Sequence, residues 1–82
     1  KPGLSVSYPS EDVSVTESKL FVEGKVSPGN ALTINGEPVY AEGMGSFKKE
    51  IELLLGMNVL EIKAVSRFGK ESKIIRRVTY NQ

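Results

Sequence analysis

The chain contains no cysteine, no histidine and no tryptophan. Without cysteine there is no disulfide to brace a small fold and no thiolate for catalysis or metal binding. Without histidine, the commonest general base and the commonest metal ligand are both missing. Zinc therefore has neither of its two preferred donors. Long apolar runs are also missing: the longest, Leu53–Leu55, is far below the roughly 20 residues of a membrane-spanning helix. No secretory signal is visible, and the chain begins with Lys rather than Met. It reads as a segment of a longer polypeptide. A sustained 3.6-residue apolar repeat is lacking as well. The window IELLLGMNVLEI comes nearest, but Gly56 and Asn58 interrupt it among β-branched neighbours.

What is present is alternation. The 82 residues suit one small domain with one core and little spare stability. Period-2 patterns arrive in short bursts about ten residues apart, the rhythm of a β-sandwich. Leu4, Val6 and Tyr8 share one face of LSVSY, and Val13 and Val15 resume after Pro9–Asp12. Leu20, Val22, Gly24 and Val26 alternate with Phe21, Glu23 and Lys25, and Ser27-Pro28-Gly29-Asn30 then turns the chain. Gly24 within that alternation implies close approach from the facing sheet.

Asn35-Gly36 between apolar runs specifies a two-residue hairpin, because a type I′ turn needs positive φ at both central positions. That loop pairs Ile34 with Glu37, Thr33 with Pro38 and Leu32 with Val39, so Leu32, Ile34 and Val39 share the core face. Pro38 places residues 37–41 at a sheet edge. Further turn glycines are Gly45, Gly56 and Gly69. Phe47, Ile51 and Leu53 are in phase with Lys49, which reads as an inward lysine guarding an edge strand. Leu60, Ile62 and Ala64 alternate next, followed by Ile74, Val78 and Tyr80. Arg76 falls in that apolar phase: either it lies near an edge, or a bulge shifts the register around Ile75. The expected core is Leu4, Val6, Val22, Leu32, Ile34, Phe47, Ile51, Leu53, Leu60, Ile62, Ala64 and Val78.

The order V-x-G at 22–24, INGEPV at 34–39, G-x-F at 45–47, I-x-L-x-x-G-x-N at 51–58, L-x-I-x-A at 60–64 and F-G at 68–69 resembles bacterial immunoglobulin-like modules. It is most similar to the type first described as domain B of glucodextranase, from about Leu4 to Tyr80. The resemblance implies an immunoglobulin-like antiparallel β-sandwich of about seven strands over residues 1–82. It also implies a non-catalytic module of a secreted, cell-wall or membrane-anchored bacterial protein, on the outer side of the envelope. Similar modules form the outer domain of cell-shape proteins that carry a helix-turn-helix at their other end. The usual A-x-D-x-x-G-N pattern is replaced here by AVSRFGK, with Ser66 and Lys70 at the two polar positions.

Net charge is +1, unevenly distributed. Residues 1–41 hold three Lys against five acids, and residues 42–82 hold eight Lys or Arg against five. Lys63, Arg67, Lys70, Lys73, Arg76 and Arg77 fall on the last two strands and their connection. This basic hairpin suits an anionic wall polymer or membrane surface. Stacking rings are too few there for specific nucleic-acid binding. With no Trp, three Tyr and three Phe, several of them required inside, an aromatic sugar-binding platform is not expected. Glu11-Asp12 is the one adjacent acidic pair and reads as a solvated turn rather than a calcium loop. Glu50, Glu52 and Glu61 fall on solvent faces, unlike a glycosidase pair. Neither metal nor cofactor is expected, nor catalysis. Partners would be other domains of the parent protein or a separate protein, with the isolated domain monomeric.

Overall fold

Alternating apolar positions can be buried only if strands stack as two sheets with their apolar faces together. A computed structural model, describing residues 2–82, has this arrangement. Its strands are β1 (Leu4–Tyr8), β2 (Val13–Val15), β3 (Lys19–Val26), β4 (Ala31–Ile34), β5 (Glu37–Val39), β6 (Ser46–Glu52), β7 (Gly56–Val65) and β8 (Glu71–Tyr80). A three-stranded sheet runs β1-β3-β6 and a five-stranded sheet β2-β8-β7-β4-β5. All pairs are antiparallel except β2–β8, where Val13 to Val15 run beside Val78 to Tyr80. The exception follows from the break at Pro9–Asp12, which carries the chain from one sheet to the other without reversing it.

The three-stranded sheet buries Val6, Leu20, Val22, Val26 and Phe47, and the five-stranded sheet Leu32, Ile34, Val39, Leu60, Ile62, Ala64, Val78 and Tyr80. Leu53 closes the core just beyond β6. Leu4 and Ile51, expected inside, are only partly buried and pack against this cluster. Tyr8 is exposed, because an irregularity between Val6 and Tyr8 shifts the β1–β3 register and reverses the face of its side chain.

The hairpin pairs Leu32 with Val39, Thr33 with Pro38 and Ile34 with Glu37. Asn35 and Gly36 have φ of 50° and 83°. Asn35 also ties the turn to β7: its N–H donates to the Glu61 carbonyl (2.9 Å), and its Oδ1 accepts the Glu61 N–H (2.8 Å). With Pro38, β5 is an edge strand; with half-buried Lys49, β6 is another. The β7–β8 ladder is unbroken from Gly56–Tyr80 to Val65–Glu71. No bulge therefore displaces Arg76. Because β2 covers β8 only from Val78 onward, Arg76 lies at an open margin, and its Nε donates to the Pro9 carbonyl at 2.7 Å.

Gly24 corrects an expectation in its detail. A Cβ there would overlap the Ser5 carbonyl oxygen on β1 and come within 2.8 Å of the Phe47 ring tip on β6. The close approach comes from its own sheet, whose two flanking strands crowd the centre, rather than from the facing sheet.

Candidate functional site

The basic hairpin does not present its six cations together. Lys63 and Lys73 are direct cross-strand partners on the outer face of the five-stranded sheet, and Arg77 follows on that face opposite Val59. Acids are interleaved with them: Lys73 Nζ lies 3.4 Å from Glu61 and Arg77 Nη1 lies 3.8 Å from Asp12. Arg76 has the opposite parity and belongs to the inner face. Arg67 and Lys70 sit in the β7–β8 connection, where the Arg67 guanidinium lies 5.2 Å from the Phe68 ring centroid. Ser66, at the position where the resembled pattern has Asp, accepts the N–H groups of Phe68 (3.2 Å) and Lys70 (3.1 Å) on its hydroxyl. Gly45, Gly56 and Gly69 have φ of 103°, 94° and 83°, so each turn rests on a conformation that glycine adopts freely.

The acidic candidates are also placed. Asp12 Oδ1 accepts the Arg77 N–H at 2.8 Å, which anchors the turn before β2 to β8. Among the described residues, no three or more Asp or Glu side chains gather where a cation would sit. Glu50 and Glu52 face outward on β6 and Glu61 outward on β7, so the thickness of the sandwich separates them.

Two surfaces stand out that composition alone did not indicate. One is the β6–β7 tip, where Leu54, Leu55, Met57 and Val59 are all exposed. This tip is rigid. The Asn58 Oδ1 accepts the Leu54 N–H (2.8 Å), and its Nδ2 donates to the carbonyls of Leu54 (2.9 Å), Gly56 (3.1 Å) and Val78 (3.1 Å). The N of the I-x-L-x-x-G-x-N motif was the available signal.

The other is a groove of about 720 Å³ on the outer face of the three-stranded sheet, to which the β5–β6 crossover contributes Tyr40 and Glu42. Only Phe47 and Tyr80 among the six rings are buried; Tyr8, Phe21, Tyr40 and Phe68 are exposed. The premise that several rings are needed inside thus does not hold, because aliphatic side chains fill the core.

Two face-packed sheets of three and five strands, joined by crossovers and hairpins, define an immunoglobulin-like β-sandwich. The model of one family, glucodextranase domain B, matches residues 2–82, and the chain belongs to that family. No curated protein matches it significantly by sequence. Among solved structures, part of an engineered protein superposes with a TM-score of 0.71 at 12% identity, over 100% of this chain but 20% of that one. The chain therefore spans about a fifth of that protein. The fibronectin(III)-like modules of Clostridium thermocellum CbhA give 0.57 at 12% identity, covering 98% of this chain and 100% of theirs. CopC from Methylosinus trichosporium OB3b gives 0.56 at 21% identity, covering 100% and 97%. At these identities the structural likenesses speak for the fold alone.

Proposed function

We propose that the chain is a single non-catalytic module of a longer secreted or cell-envelope polypeptide, serving as a spacer or as a contact surface for a neighbouring domain or protein. The observation that carries this reading is that residues 2–3 and residue 81 are held at opposite ends of β8. Near residue 2, the Pro2 carbonyl is bonded by the Ser72 hydroxyl and the Gly3 carbonyl accepts the Ser27 N–H, at the start of β8. Beyond Tyr80, the Asn81 N–H donates to the Val15 carbonyl, at the end of β8. A ten-residue strand separates the two, about 30 Å of a body 42 Å long. Such a module adds its length to a chain of modules. The clamped apolar tip at Leu54–Leu55 lies beside the end of β8, since Gly56 pairs with Tyr80. It offers a neighbour a contact there. Membership of a family described as one domain of an enzyme supports an accessory part, and the extracellular or envelope location rests on that family as well.

A second reading keeps the basic hairpin as a site for an anionic wall polymer or membrane surface, favoured by Lys63 and Lys73 standing side by side. Incubating the isolated chain with glycosidic, ester and phosphoester substrates, and separately measuring its retention on immobilised heparin, tests both. The module reading expects no product, and at about 50 mM salt no more retention than a Lys63→Gln/Lys73→Gln variant shows. Product formation abolished by Glu50→Gln or Glu61→Gln would overturn it. Retention at about 50 mM salt that falls steeply by about 200 mM and is lost in Lys63→Gln/Lys73→Gln would favour the second reading.

A further inference from the structure

The groove on the three-stranded sheet brings two exposed rings together with charged and hydroxyl side chains. Its floor follows from the registry of three strands. Lys25 is flanked by Ser5 on β1 and Ser46 on β6, so small side chains leave a trough on both sides of a long one. In the next row Glu23 stands opposite Lys48, and beyond it Phe21 stands opposite Glu50. Lys48 leans over the Phe21 ring, its Nζ 4.6 Å from the centroid, which builds one wall. Tyr40 adds a second ring, 84% exposed. The volume lies within the roughly 300–1,000 Å³ of small-molecule sites.

We propose that this groove binds a neutral oligosaccharide. Its ionisable side chains are Glu23, Glu42, Lys25 and Lys48, two of each sign, so the groove has no net charge to attract a polyanion. None of the four takes part in the ion pairs of the described residues, which are Lys73–Glu61 and Arg77–Asp12. The two carboxylates are free to accept and the Lys25 ammonium free to donate, while the Lys48 ammonium lies over the Phe21 ring. A purely apolar ligand would strip water from these groups without replacing their hydrogen bonds, which is costly. A sugar ring resolves both demands. Its hydroxyls meet carboxylate, ammonium and serine, and its C–H face lies on an aromatic ring. Tyr40, the barer of the two rings, is the stacking platform, and the Lys48–Phe21 pair forms the wall. This site is distinct from the basic hairpin and from the apolar tip. It adds a ligand to the module reading without depending on it.

The test is a titration of the ¹⁵N-labelled chain with neutral hexasaccharides of α-1,4-, α-1,6- and β-1,4-linked glucose, beside a heparin hexasaccharide. A shallow open groove implies a Kd of about 0.1–1 mM. The expected result is saturable movement of the amides of Phe21, Glu23, Lys25, Tyr40 and Lys48 with at least one neutral sugar. Tyr40→Ala should weaken that binding about tenfold with the thermal midpoint unchanged, as befits an exposed ring. Phe68→Ala, at an exposed ring outside the groove, should leave it as it was. The proposal is overturned if no neutral sugar produces saturable shifts at about 10 mM, if only the heparin hexasaccharide binds, or if Tyr40→Ala binds like the unaltered chain.

Discussion

Replacing Gly24 by alanine adds one carbon atom at a crowded point of the three-stranded sheet. Gly24 lies on the central strand β3, paired with Val6 on one side and Phe47 on the other. The new Cβ would overlap the Ser5 carbonyl oxygen and sit 2.8 Å from the Phe47 ring tip. The ring can swing slightly; the carbonyl cannot, because it is backbone of the neighbouring strand. Overpacking in a core usually costs about 1–3 kcal/mol, and an overlap with backbone belongs at the upper end. We expect about 3 kcal/mol, a large share of the roughly 5–10 kcal/mol available to a domain of this size. At about 4–8 °C per kcal/mol, the midpoint should fall by about 12–24 °C. Urea denaturation followed by far-UV circular dichroism measures the free-energy loss, with the slope of the transition unchanged, and thermal denaturation measures the midpoint. Gly29→Ala is the control: its φ is +86°, but nothing lies within 4 Å of the added atom. It should cost only about 1–2 kcal/mol of backbone strain. If Gly24→Ala melts within about 2 °C of the unaltered protein, the close approach is not there, and the packing of β3 between β1 and β6 has been misread.

Asn58→Ala removes the clamp on the β6–β7 tip and should cost about 2 kcal/mol by chemical denaturation, since several partly exposed bonds are lost together. Ile62→Ala, at a side chain with 0% exposure, should cost about 3–4 kcal/mol and leave the chain close to unfolding at 37 °C. Glu61→Gln breaks the pair with Lys73, both partners substantially exposed, and should change stability by less than about 1 kcal/mol. Millimolar calcium or excess chelator should leave the thermal midpoint in place, because only a ligand of the native state can move it; a rise of several degrees with calcium would contradict the reading of Glu11-Asp12.

Features set by neighbours in sequence were legible in the sequence. Asn35-Gly36 fixes a hairpin by its own backbone preferences, and the register of three residue pairs follows from the two-residue loop. The edge position of β5 could be read from Pro38, and that of β6 from Lys49, because both act through local geometry. Features set by distant partners were not legible. Arg76 looks anomalous until the Pro9 carbonyl, 67 residues away, is seen to accept from it. The parallel β2–β8 pair depends on a crossover whose path no alternation pattern records. Tyr8 left its expected face because one irregularity reverses parity, and periodicity cannot place an irregularity. The groove was missed for a different reason. Counting rings says nothing about which side of a strand they occupy, although Phe21 is visibly out of phase with Leu20 and Val22. The basic hairpin was visible as charge, yet the acids that pair with it come partly from Asp12, at the other end of the chain.

The central claim is that residues 2–82 contribute length and contact to a larger polypeptide and no chemistry of their own. Its most direct measurement compares that polypeptide in two forms, with the native segment and with a fibronectin(III)-like module of similar length in its place. The quantities read are turnover on a soluble substrate and attachment to the envelope or partner. The account predicts unchanged turnover in both, with any loss confined to attachment. Turnover that collapses on replacement and returns only with the native segment would contradict it.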